Sequence, residues 1–562
     1  MKKLPVGIES FQELMSWDYY YVDKTLFIKE LLDDRNKVSL FTRPRRFGKT
    51  LAVSMLRTFF EDARDLEGNR VDNRAYFNGT KILDAGDGYL RHMGQYPVIS
   101  LSLKSAKQPD YEMAYACLKE EIQNEFDRHF YVTQGASLQQ GERQKYREIC
   151  EGKADSAAYA TSLAFLSKCL WKYHQKKAII LIDEYDVPLE NSYFEGFYDK
   201  MVRFIRSLFE SALKTNDSME FAVITGCLRI SRESIFTGLN NLKILSILNR
   251  KYDSRFGFTR TEVERMLCDY GLEDKKEEVK KWYDGYLFGQ EEIYNPWSIL
   301  NYVDDVQADR DAFPKPYWSN TSSNGIVREL IERADKSVRK EIEDLAAGGA
   351  IEKPVYEDVT YGDIHSSQDN LWNFLFFTGY LKKTGERQEG RSHYLTMKIP
   401  NEEVAGIYER AVFAWFDQKL KTVDFSPMRN ALESGDCSAI EKFVSSQMAD
   451  TISFFDYAEN YYHGFLAGLL KGMGSYEVLS NRESGTGRSD LILKEGIFRG
   501  KGMILELKVA KEIGEMEQKC REALDQIERE DYEQALREEG YLEIRKYGIC
   551  FFRKGCMVQK AP

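Results

Sequence analysis

Short apolar runs alternate with longer amphipathic stretches along the N-terminal half of the chain. Residues 37–41 (KVSLF), 178–186 (AIILIDEYD) and 221–226 (FAVITG) carry the uninterrupted apolar runs of buried strands. Residues 49–62 (KTLAVSMLRTFFED) and 199–214 (DKMVRFIRSLFESALK) instead repeat apolar residues at helical spacing. Because strands alternate with helices, the pattern predicts an α/β domain with a mainly parallel sheet.

The pattern changes toward the C-terminus and predicts two further domains. One is mostly helical, with short strand candidates such as SHYLTMKIP at 392–400. The other has the order helix, strand pair, helix and strand, in segments 454–472, 487–493, 502–510, 511–539 and 547–552. We therefore predict an α/β domain at 1–303, a helical and winged-helix-like region at 304–440, and a second α/β domain at 441–562.

Length and composition support several soluble domains. A chain of 562 residues is too long for one ordinary core, and 43% hydrophobic with 30% charged residues is typical of globular proteins. The first fifteen residues lack the apolar stretch of a signal peptide, and no apolar run approaches the roughly 20 residues of a membrane helix. The nine cysteines are scattered without a CxxC pair, so we expect reduced thiols and a cytoplasmic location.

Net charge gives no global reason to expect a nucleic-acid partner. The whole chain carries −11, but the segment from Tyr476 to the C-terminus has 16 Lys/Arg against 17 Asp/Glu. This segment is nearly neutral while the rest is acidic. The difference permits a local phosphate-binding face.

The segment RPRRFGKT ends like a phosphate-binding loop. In such a loop backbone N–H groups and a helix N-terminus surround the phosphates, the lysine reaches the terminal phosphates, and a Ser/Thr hydroxyl ligates Mg²⁺. Gly48, Lys49 and Thr50 stand in the required order between a strand and a helix. Arg43 departs from the pattern, because a glycine usually opens the loop. The alternative is a basic turn before a helix.

Acids at the end of a neighbouring strand supply the second part of a nucleotide site. Asp183 is the candidate Mg²⁺ ligand and Glu184 the candidate base that polarises the attacking water. The alternative is a strand that ends in solvated acids. Thr225 is a candidate sensor of the γ-phosphate or a strand cap, and Arg229 or Arg232 is either an arginine finger or a surface salt-bridge partner.

The C-terminal strand pair carries a second candidate site. Glu506 and Lys508 are two residues apart on one strand and therefore share a face. The segment between the strands predicts a hairpin that brings Asp490 beside Glu506. Two carboxylates for a metal and a lysine for the water are the groups that phosphodiester hydrolysis needs. The alternative is an ion pair across the hairpin.

Further side chains lie near this site in the sequence. His463 and Glu459 are four apart on a helix, so they share a face; they can add a metal ligand, or serve packing and capping. Gln526 on the following helix can reach the same site.

Taken together, these motifs resemble a known bacterial and archaeal architecture. The chain is similar to AAA-ATPase-like proteins fused to a C-terminal nuclease domain of the PD-(D/E)XK superfamily. The resemblance rests on segments spread along nearly the whole length: YYVDKTLFIKELL, FTRPRRFGKTL, LIDEYDVPL, ESIFTGLNNL, WYDGYLFG, YNPWSI, YHGFLAGLL, GRSDLIL and LELKVA. It implies that the RPRRFGKT loop is a family variant, that Asp183 and Glu184 are Walker B acids, and that the nuclease is restriction-endonuclease-like. Ser489 replaces the proline of the motif name.

These observations predict an ATPase joined to a Mg²⁺-dependent nuclease. The residues predicted to contact ATP are Arg46, Gly48, Lys49, Thr50, Asp183 and Thr225. The predicted metal ligands are Thr50, Asp183, Asp490 and Glu506, and the predicted catalytic residues are Glu184, Asp490, Glu506 and Lys508. We expect Mn²⁺ to replace Mg²⁺ at the nuclease site, because oxygen ligands accept both ions.

The leading hypothesis is an ATP-dependent or ATP-regulated nuclease that acts on DNA, in defence against foreign DNA. The expected partners are ATP and DNA, with no membrane, and a homo-oligomer is compatible with the sequence. The rival hypothesis is a signalling or scaffolding NTPase switch whose C-terminal domain binds nucleic acid or protein without cleaving it. Motion along DNA driven by ATP is a weaker third hypothesis, because we find no helicase motif set.

Overall fold

The protein divides into two compact units in a computed structural model. The described residues are 1–65, 69–228, 235–236, 239–318, 336–346, 348–356, 367–408, 423–449, 459–474, 476–484, 487–496 and 500–561. The first unit comprises Met1–Ser323 and Glu352–Gly406, and the second comprises Asn324–Ile351 and Ile407–Pro562.

A five-stranded parallel sheet forms the centre of the first unit. Its strands are β1 (Val38–Thr42), β2 (Val98–Ser102), β3 (Ala178–Asp183), β4 (Met219–Gly226) and β5 (Leu242–Leu245), in the order β2-β3-β4-β1-β5. Every residue of β1 and β3 is buried. Their uninterrupted apolar sequences suit this position, since a parallel sheet is covered on both faces.

Thirteen helices of the described residues precede or follow these strands up to residue 308. They are α1 (Phe11–Ser16), α2 (Leu26–Asp34), α3 (Lys49–Phe60), α4 (Asp87–Leu90), α5 (Tyr111–Arg128), α6 (Gln140–Cys150), α7 (Ser156–Ala160), α8 (Ser162–His174), α9 (Val187–Phe194), α10 (Tyr198–Leu213), α11 (Arg260–Asp269), α12 (Lys276–Tyr283) and α13 (Pro296–Ala308). Amphipathic α10 shows why they pack on the sheet, since its buried residues Met201, Ile205, Leu208 and Ala212 recur at helical spacing.

Two small sheets complete the strand-containing part of this region. One has the order β6-β8-β7, with β6 (Phe258–Thr259), β7 (Tyr286–Phe288) and β8 (Glu291–Tyr294). The other has the order β10-β11-β9, with β9 (Ile351–Pro354), β10 (Lys382–Glu389) and β11 (Ser392–Lys398). The helices beside the second sheet in the sequence are α14 (Lys336–Ala346) and α15 (Gln368–Phe377).

The second unit is built on a mixed sheet. Its strands are β12 (Tyr476–Ser484), β13 (Gly487–Glu495), β14 (Lys501–Val509), β15 (Glu543–Phe552) and β16 (Gly555–Lys560), hydrogen-bonded in chain order. Only the pairing of β14 with β15 is parallel among the strands described. The helices described in this unit are α14, which lies within Asn324–Ile351, and α16 (Ser426–Ser434), α17 (Cys437–Ala449), α18 (Glu459–Lys471), α19 (Met516–Arg529) and α20 (Tyr532–Glu538).

The α/β class predicted from the sequence is confirmed. The parallel sheet, the largely helical middle and the C-terminal mixed sheet occur in the predicted order. The three-domain division stays a prediction; within the two units, residues 352–406 belong with the N-terminal sheet, and position 440/441 falls inside α17. None of the helices that the structure describes combines the length and apolarity that crossing a membrane requires.

Candidate functional sites

The carboxyl ends of β1, β3 and β4 bring three sequence segments to one edge of the parallel sheet. Phe41 of β1 pairs with Thr225 of β4, and Ile182 of β3 pairs with Ile224 of β4. The segments that leave these strands are the loop at 43–48, the acids at 183–186 and residues 226–228. The sheet order therefore places the predicted phosphate loop near the predicted acids.

Gly48 and Lys49 form the turn from the loop into α3. Gly48 is the N-cap of α3 and has a φ of +81°, a conformation that side chains disfavour. Lys49 is buried, and its Nζ donates to the carbonyl oxygens of Arg43 (3.0 Å) and Pro44 (2.9 Å). The first N–H groups of a helix lack intrahelical partners, so this end of α3 suits a phosphate.

Arg43 has a structural position at the start of the loop. Its guanidinium is fully buried and donates to the carbonyl oxygens of Thr42 and Leu245, both at 2.8 Å. The rings of Phe256 and Phe288 lie 5.2 and 5.3 Å from its guanidinium carbon. Arg43 thus ties the ends of β1 and β5 together and leaves the phosphate-contacting positions to Gly48 and Lys49.

The acids that follow β3 occupy three different environments. Asp183 is buried and accepts a short hydrogen bond from the Thr225 hydroxyl, so Thr225 lies against the predicted Mg²⁺ ligand. Burial raises the pKa of Glu184, and the charge of Lys49 opposes the rise. Asp186 accepts the N–H groups of Cys227 and Leu228 through Oδ2, while its buried Oδ1 has no hydrogen-bond partner among the described residues.

One cavity of about 330 Å³ is lined by residues of the loop, of α3 and of the segment after β3. Polar and charged residues of its wall include Gly48, Lys49, Thr50, Lys104, Glu184 and Asp186, and apolar residues of its wall include Ile8, Leu14, Val22, Phe258 and Leu300. Arg46 and Trp297 also line it, and the guanidinium carbon of Arg46 is 4.5 Å from the ring centre of Trp297. Arg229 and Arg232, the candidate arginine fingers, lie outside the described residues.

This chemistry fits a nucleotide with its metal ion. The volume lies in the range of small-ligand pockets, the cations and the helix N-terminus suit phosphates, and the apolar lining residues suit a base. The orphaned buried oxygen of Asp186 and the Thr50 hydroxyl supply oxygen donors of the kind Mg²⁺ prefers. Of the predicted ATP-contacting residues, Arg46, Gly48, Lys49 and Thr50 line the cavity, whereas Asp183 and Thr225 are hydrogen-bonded to each other at the ends of β3 and β4 and do not line it.

In the second unit, the predicted nuclease residues converge where two strands separate. The ladder of β13 and β14 is regular from Lys494 to Leu491, which pairs with Leu505. Beyond that pair, side-chain carboxylates accept the backbone N–H groups in place of backbone carbonyls. Asp490 Oδ2 accepts the N–H of Leu507 at 2.8 Å, and Glu506 Oε2 accepts the N–H of Asp490 at 3.4 Å. The predicted hairpin is confirmed, and it places Asp490 beside Glu506.

Glu506 is the most perturbed group of this cluster. It is 2% exposed, and burial raises its pKa to about 7; repulsion by Asp490 acts in the same direction and Lys508 opposes it. Lys508 Nζ lies 3.3 Å from Glu506 Oε1. Lys508 thus forms an ion pair with Glu506 along one strand, and backbone N–H groups donate to the two carboxylates across the hairpin.

Three further side chains surround the cluster. His463 Nε2 lies 2.8 Å from the backbone carbonyl oxygen of Asp490 and 3.3 Å from the Ser480 hydroxyl, so its role as a metal ligand stays a prediction. Gln526 Nε2 donates to the Tyr532 hydroxyl at 3.3 Å. Burial raises the pKa of Tyr532, and the charges of Glu506 and Asp490 act in the same direction. The side chains of Glu459 and Ser489 lie outside those described.

Tyr532, the hydrogen-bond partner of Gln526, was not predicted from the sequence. It begins α20, six residues after Gln526, and no local motif marks it. Tyr532 can be recognised only from the fold, in which the turn between α19 and α20 returns the chain toward the sheet.

The carboxylate pair fits a divalent cation, although its donor set from side chains is small. Across the described residues no group of three or more His, Cys, Asp or Glu side chains could hold a metal ion. Asp490 and Glu506 nevertheless repel each other in the absence of a cation, as the raised pKa of Glu506 indicates. A hard cation takes carboxylate and carbonyl oxygens and water, so two carboxylates suffice for a Mg²⁺ that keeps several waters.

Comparison with known families agrees with both sites. Residues 5–236 match the family model AAA-ATPase-like, described as predicted AAA-ATPase, and residues 457–561 match a PD-(D/E)XK nuclease superfamily model. A relative named as an uncharacterized protein in the vnfD 5' region of Azotobacter chroococcum mcd 1 is 26% identical over 416 residues, which cover 73% of this chain and 70% of that protein. The chain therefore carries an N-terminal AAA-ATPase-like domain and a C-terminal PD-(D/E)XK nuclease superfamily domain.

Proposed function

We propose that this protein hydrolyses ATP and uses the nucleotide to control a Mg²⁺-dependent nuclease that cuts DNA in the cytoplasm, in defence against foreign DNA. The observation that carries the proposal is the convergence of Asp490, Glu506 and Lys508 at the point where β13 and β14 separate. We further propose the division 1–303 for the ATPase, 304–440 for a lid and 441–562 for the nuclease.

In the ATPase, each side chain has a distinct task. ATP with Mg²⁺ supplies the phosphoanhydride bond and the charge that orders its phosphates. With ATP bound, Lys49 would exchange the carbonyl oxygens of Arg43 and Pro44 for the terminal phosphates, and Thr50 and Asp183 would hold the metal ion. Glu184 takes a proton from water, which its raised pKa favours.

In the nuclease, Asp490 and Glu506 hold the cation. The metal ion neutralises phosphate charge and lowers the pKa of bound water. Lys508 orients that water, since its amine already lies beside Glu506. The twofold role of Glu506, as ligand and as partner of Lys508, keeps the water next to the metal.

The ATPase assignment is tested by two substitutions. Lys49→Ala should abolish hydrolysis, because it removes the charge that meets the β- and γ-phosphates. Glu184→Gln should keep ATP binding but turn over at least about 100-fold more slowly, because the base is lost. Binding and turnover are measured separately, with a fluorescent ATP analogue and by phosphate release. Wild-type turnover in Glu184→Gln would contradict the base assignment and make Asp186 the next residue to substitute.

The nuclease assignment is tested by cleavage of labelled DNA and RNA, single- and double-stranded, with Mg²⁺ or Mn²⁺ and with or without ATP. Wild type should cut DNA, Asp490→Ala and Glu506→Ala should not, and Lys508→Ala should cut slowly with near-normal metal affinity. A wild type that binds nucleic acid but cuts none of these substrates would favour the rival switch without cleavage.

A further inference from the structure

Seven lysine and arginine residues line the nucleotide cavity, and only three of them belong to the RPRRFGKT segment. Cations on its wall with an established intramolecular contact are Lys24 with Glu262, Arg45 with Glu190, Arg46 with Trp297, Lys49 with loop carbonyls and Arg255 with Glu30. Two further lysines that line the cavity, Lys104 and Lys107, belong to the turn after β2.

Lys104 is positioned by the same strand that carries the acids. The N–H of Leu103 donates to the carbonyl of Asp183 at 3.1 Å, which fixes the start of the turn against the end of β3. Lys104 follows directly and lines the cavity together with the loop residues Gly48 and Lys49. Burial raises the pKa of Glu184, and the positive charge of Lys104 opposes this rise. The charge of Lys107 instead opposes the rise that burial causes in the pKa of Glu190.

The contact that Lys104 makes is a weak one. Its Nζ lies 3.1 Å from Oε1 of Glu9, and the two side chains are 59% and 49% exposed. An ion pair this exposed is weak because solvent screens it, so the lysine can leave it for a stronger charge. Glu9 also lines the cavity, so the pair lies at its rim.

We propose that Lys104 is a catalytic cation that contacts the transferring phosphoryl group of ATP, with Glu9 holding it aside while the site contains no nucleotide. The inference rests on the proposed ATPase. In phosphoryl transfer, negative charge on the transferring group is neutralised by an additional cation, a role often given to an arginine finger. Here the cation comes from the turn that follows β2 in the same chain.

The test is a set of single substitutions, each assayed for ATP turnover and for the binding of two ligands. One ligand is a nonhydrolysable ATP analogue. The other is ADP with aluminium fluoride, which mimics the transition state. Lys104→Met should lower kcat by about 10²-fold to 10³-fold and weaken the ADP–aluminium fluoride complex comparably, because only the transition state needs the extra charge. Binding of the ATP analogue should change by less than about threefold. Lys104→Arg should restore most of the turnover.

Two matched variants separate this role from a structural one. Lys153→Met removes a similarly exposed lysine, paired with Glu151 at 2.6 Å and away from the cavity, and should leave turnover unchanged. Glu9→Gln frees Lys104 and should raise turnover by up to about fivefold, the strength of an exposed pair. A structural pair would instead make Glu9→Gln as damaging as Lys104→Met.

The outcomes distinguish this inference from the proposed function. Wild type that binds ATP but never hydrolyses it would overturn the ATPase proposal itself. Wild type that hydrolyses ATP, with Lys104→Met equally active, would overturn only the role of Lys104. Equal weakening of ATP analogue and ADP–aluminium fluoride binding would assign Lys104 to ground-state binding and also overturn the catalytic role.

Discussion

At the residue scale, Glu506 makes the second unit sensitive to pH. Burial raises the pKa of this carboxyl from 4.5 to about 7, so the folded protein holds a proton that the unfolded chain releases at lower pH. The resulting stability is fully present below pH 4.5 and is lost as pH rises through about 7, a change of about 3 kcal/mol. Metal ligands must be deprotonated, so Mg²⁺ affinity should rise over the same interval.

The prediction is checked by thermal unfolding of wild type and Glu506→Gln at pH 5.5 and 8, each with and without Mg²⁺. Mg²⁺ should stabilise wild type more at pH 8 than at pH 5.5 and should not stabilise Glu506→Gln through this site. Burial also raises the pKa of Glu403 to about 7, so the difference between the two proteins isolates Glu506. An equal Mg²⁺ effect on both would show that the ion binds elsewhere.

Arg43 shows what residue patterns leave out. Gly48, Lys49 and Thr50 could be placed from the sequence because phosphate chemistry constrains their type and order. The role of Arg43 depends on the carbonyl of Leu245 and the ring of Phe288, about 200 residues away or more in the sequence. A pattern of neighbouring residues holds no information about such distant partners. Only the fold explains why an arginine stands where a glycine usually opens the loop.

At the element scale, buried strands were predictable and edge strands were not. β1 and β3 are buried along their whole length, and this selects continuous apolar sequence. β12 and β16 lie at the two edges of the second sheet, and their sequences YEVLSNRES and GCMVQK mix polar and apolar residues. An edge strand is stabilised by one neighbour, so its sequence is less constrained and the predicted strand list omitted both.

The end of β4 provides a prediction at this scale. A Cβ added at Gly226 would lie 2.4 Å from the ring of Tyr185 and 2.7 Å from Oδ1 of Asp186. Gly226→Ala should therefore displace the acids after β3, cost about 1–3 kcal/mol of stability and lower ATP turnover at least tenfold. Chemical denaturation and phosphate release measure the two effects.

The matched control is Gly88→Ala, since a Cβ there meets no atom within 4 Å. This variant should change neither quantity appreciably. Normal turnover in Gly226→Ala would mean that Tyr185 yields without moving Asp186, and the close packing would then have no part in catalysis.

At the scale of the whole molecule, the boundary after residue 303 stays a prediction, and residues Glu352–Gly406 return to the first unit after it. Asn401 Nδ2 donates to the carbonyl of Asp284 at 2.6 Å, and Glu403 accepts hydrogen bonds from Ser298 and from the N–H of Trp318. Ser298 follows Trp297, the residue under Arg46. A change of composition marks where a sequence becomes helical, but it does not show which unit a later segment joins.

The last prediction concerns the direction of control between the two activities. The groups proposed to hold the nuclease metal, Asp490 and Glu506, belong to the second unit, whereas the nucleotide cavity is lined by the first. Asp490→Ala should therefore abolish cleavage and leave ATP turnover near that of wild type. Lys49→Ala should lower both, because cleavage is proposed to depend on the nucleotide. Parallel phosphate-release and cleavage assays on the full chain measure this asymmetry. If Lys49→Ala cut DNA at the wild-type rate, the two domains would act independently and the proposal that the nucleotide controls cleavage would be wrong. If Asp490→Ala lost ATP turnover, the nuclease metal site would control the ATPase instead.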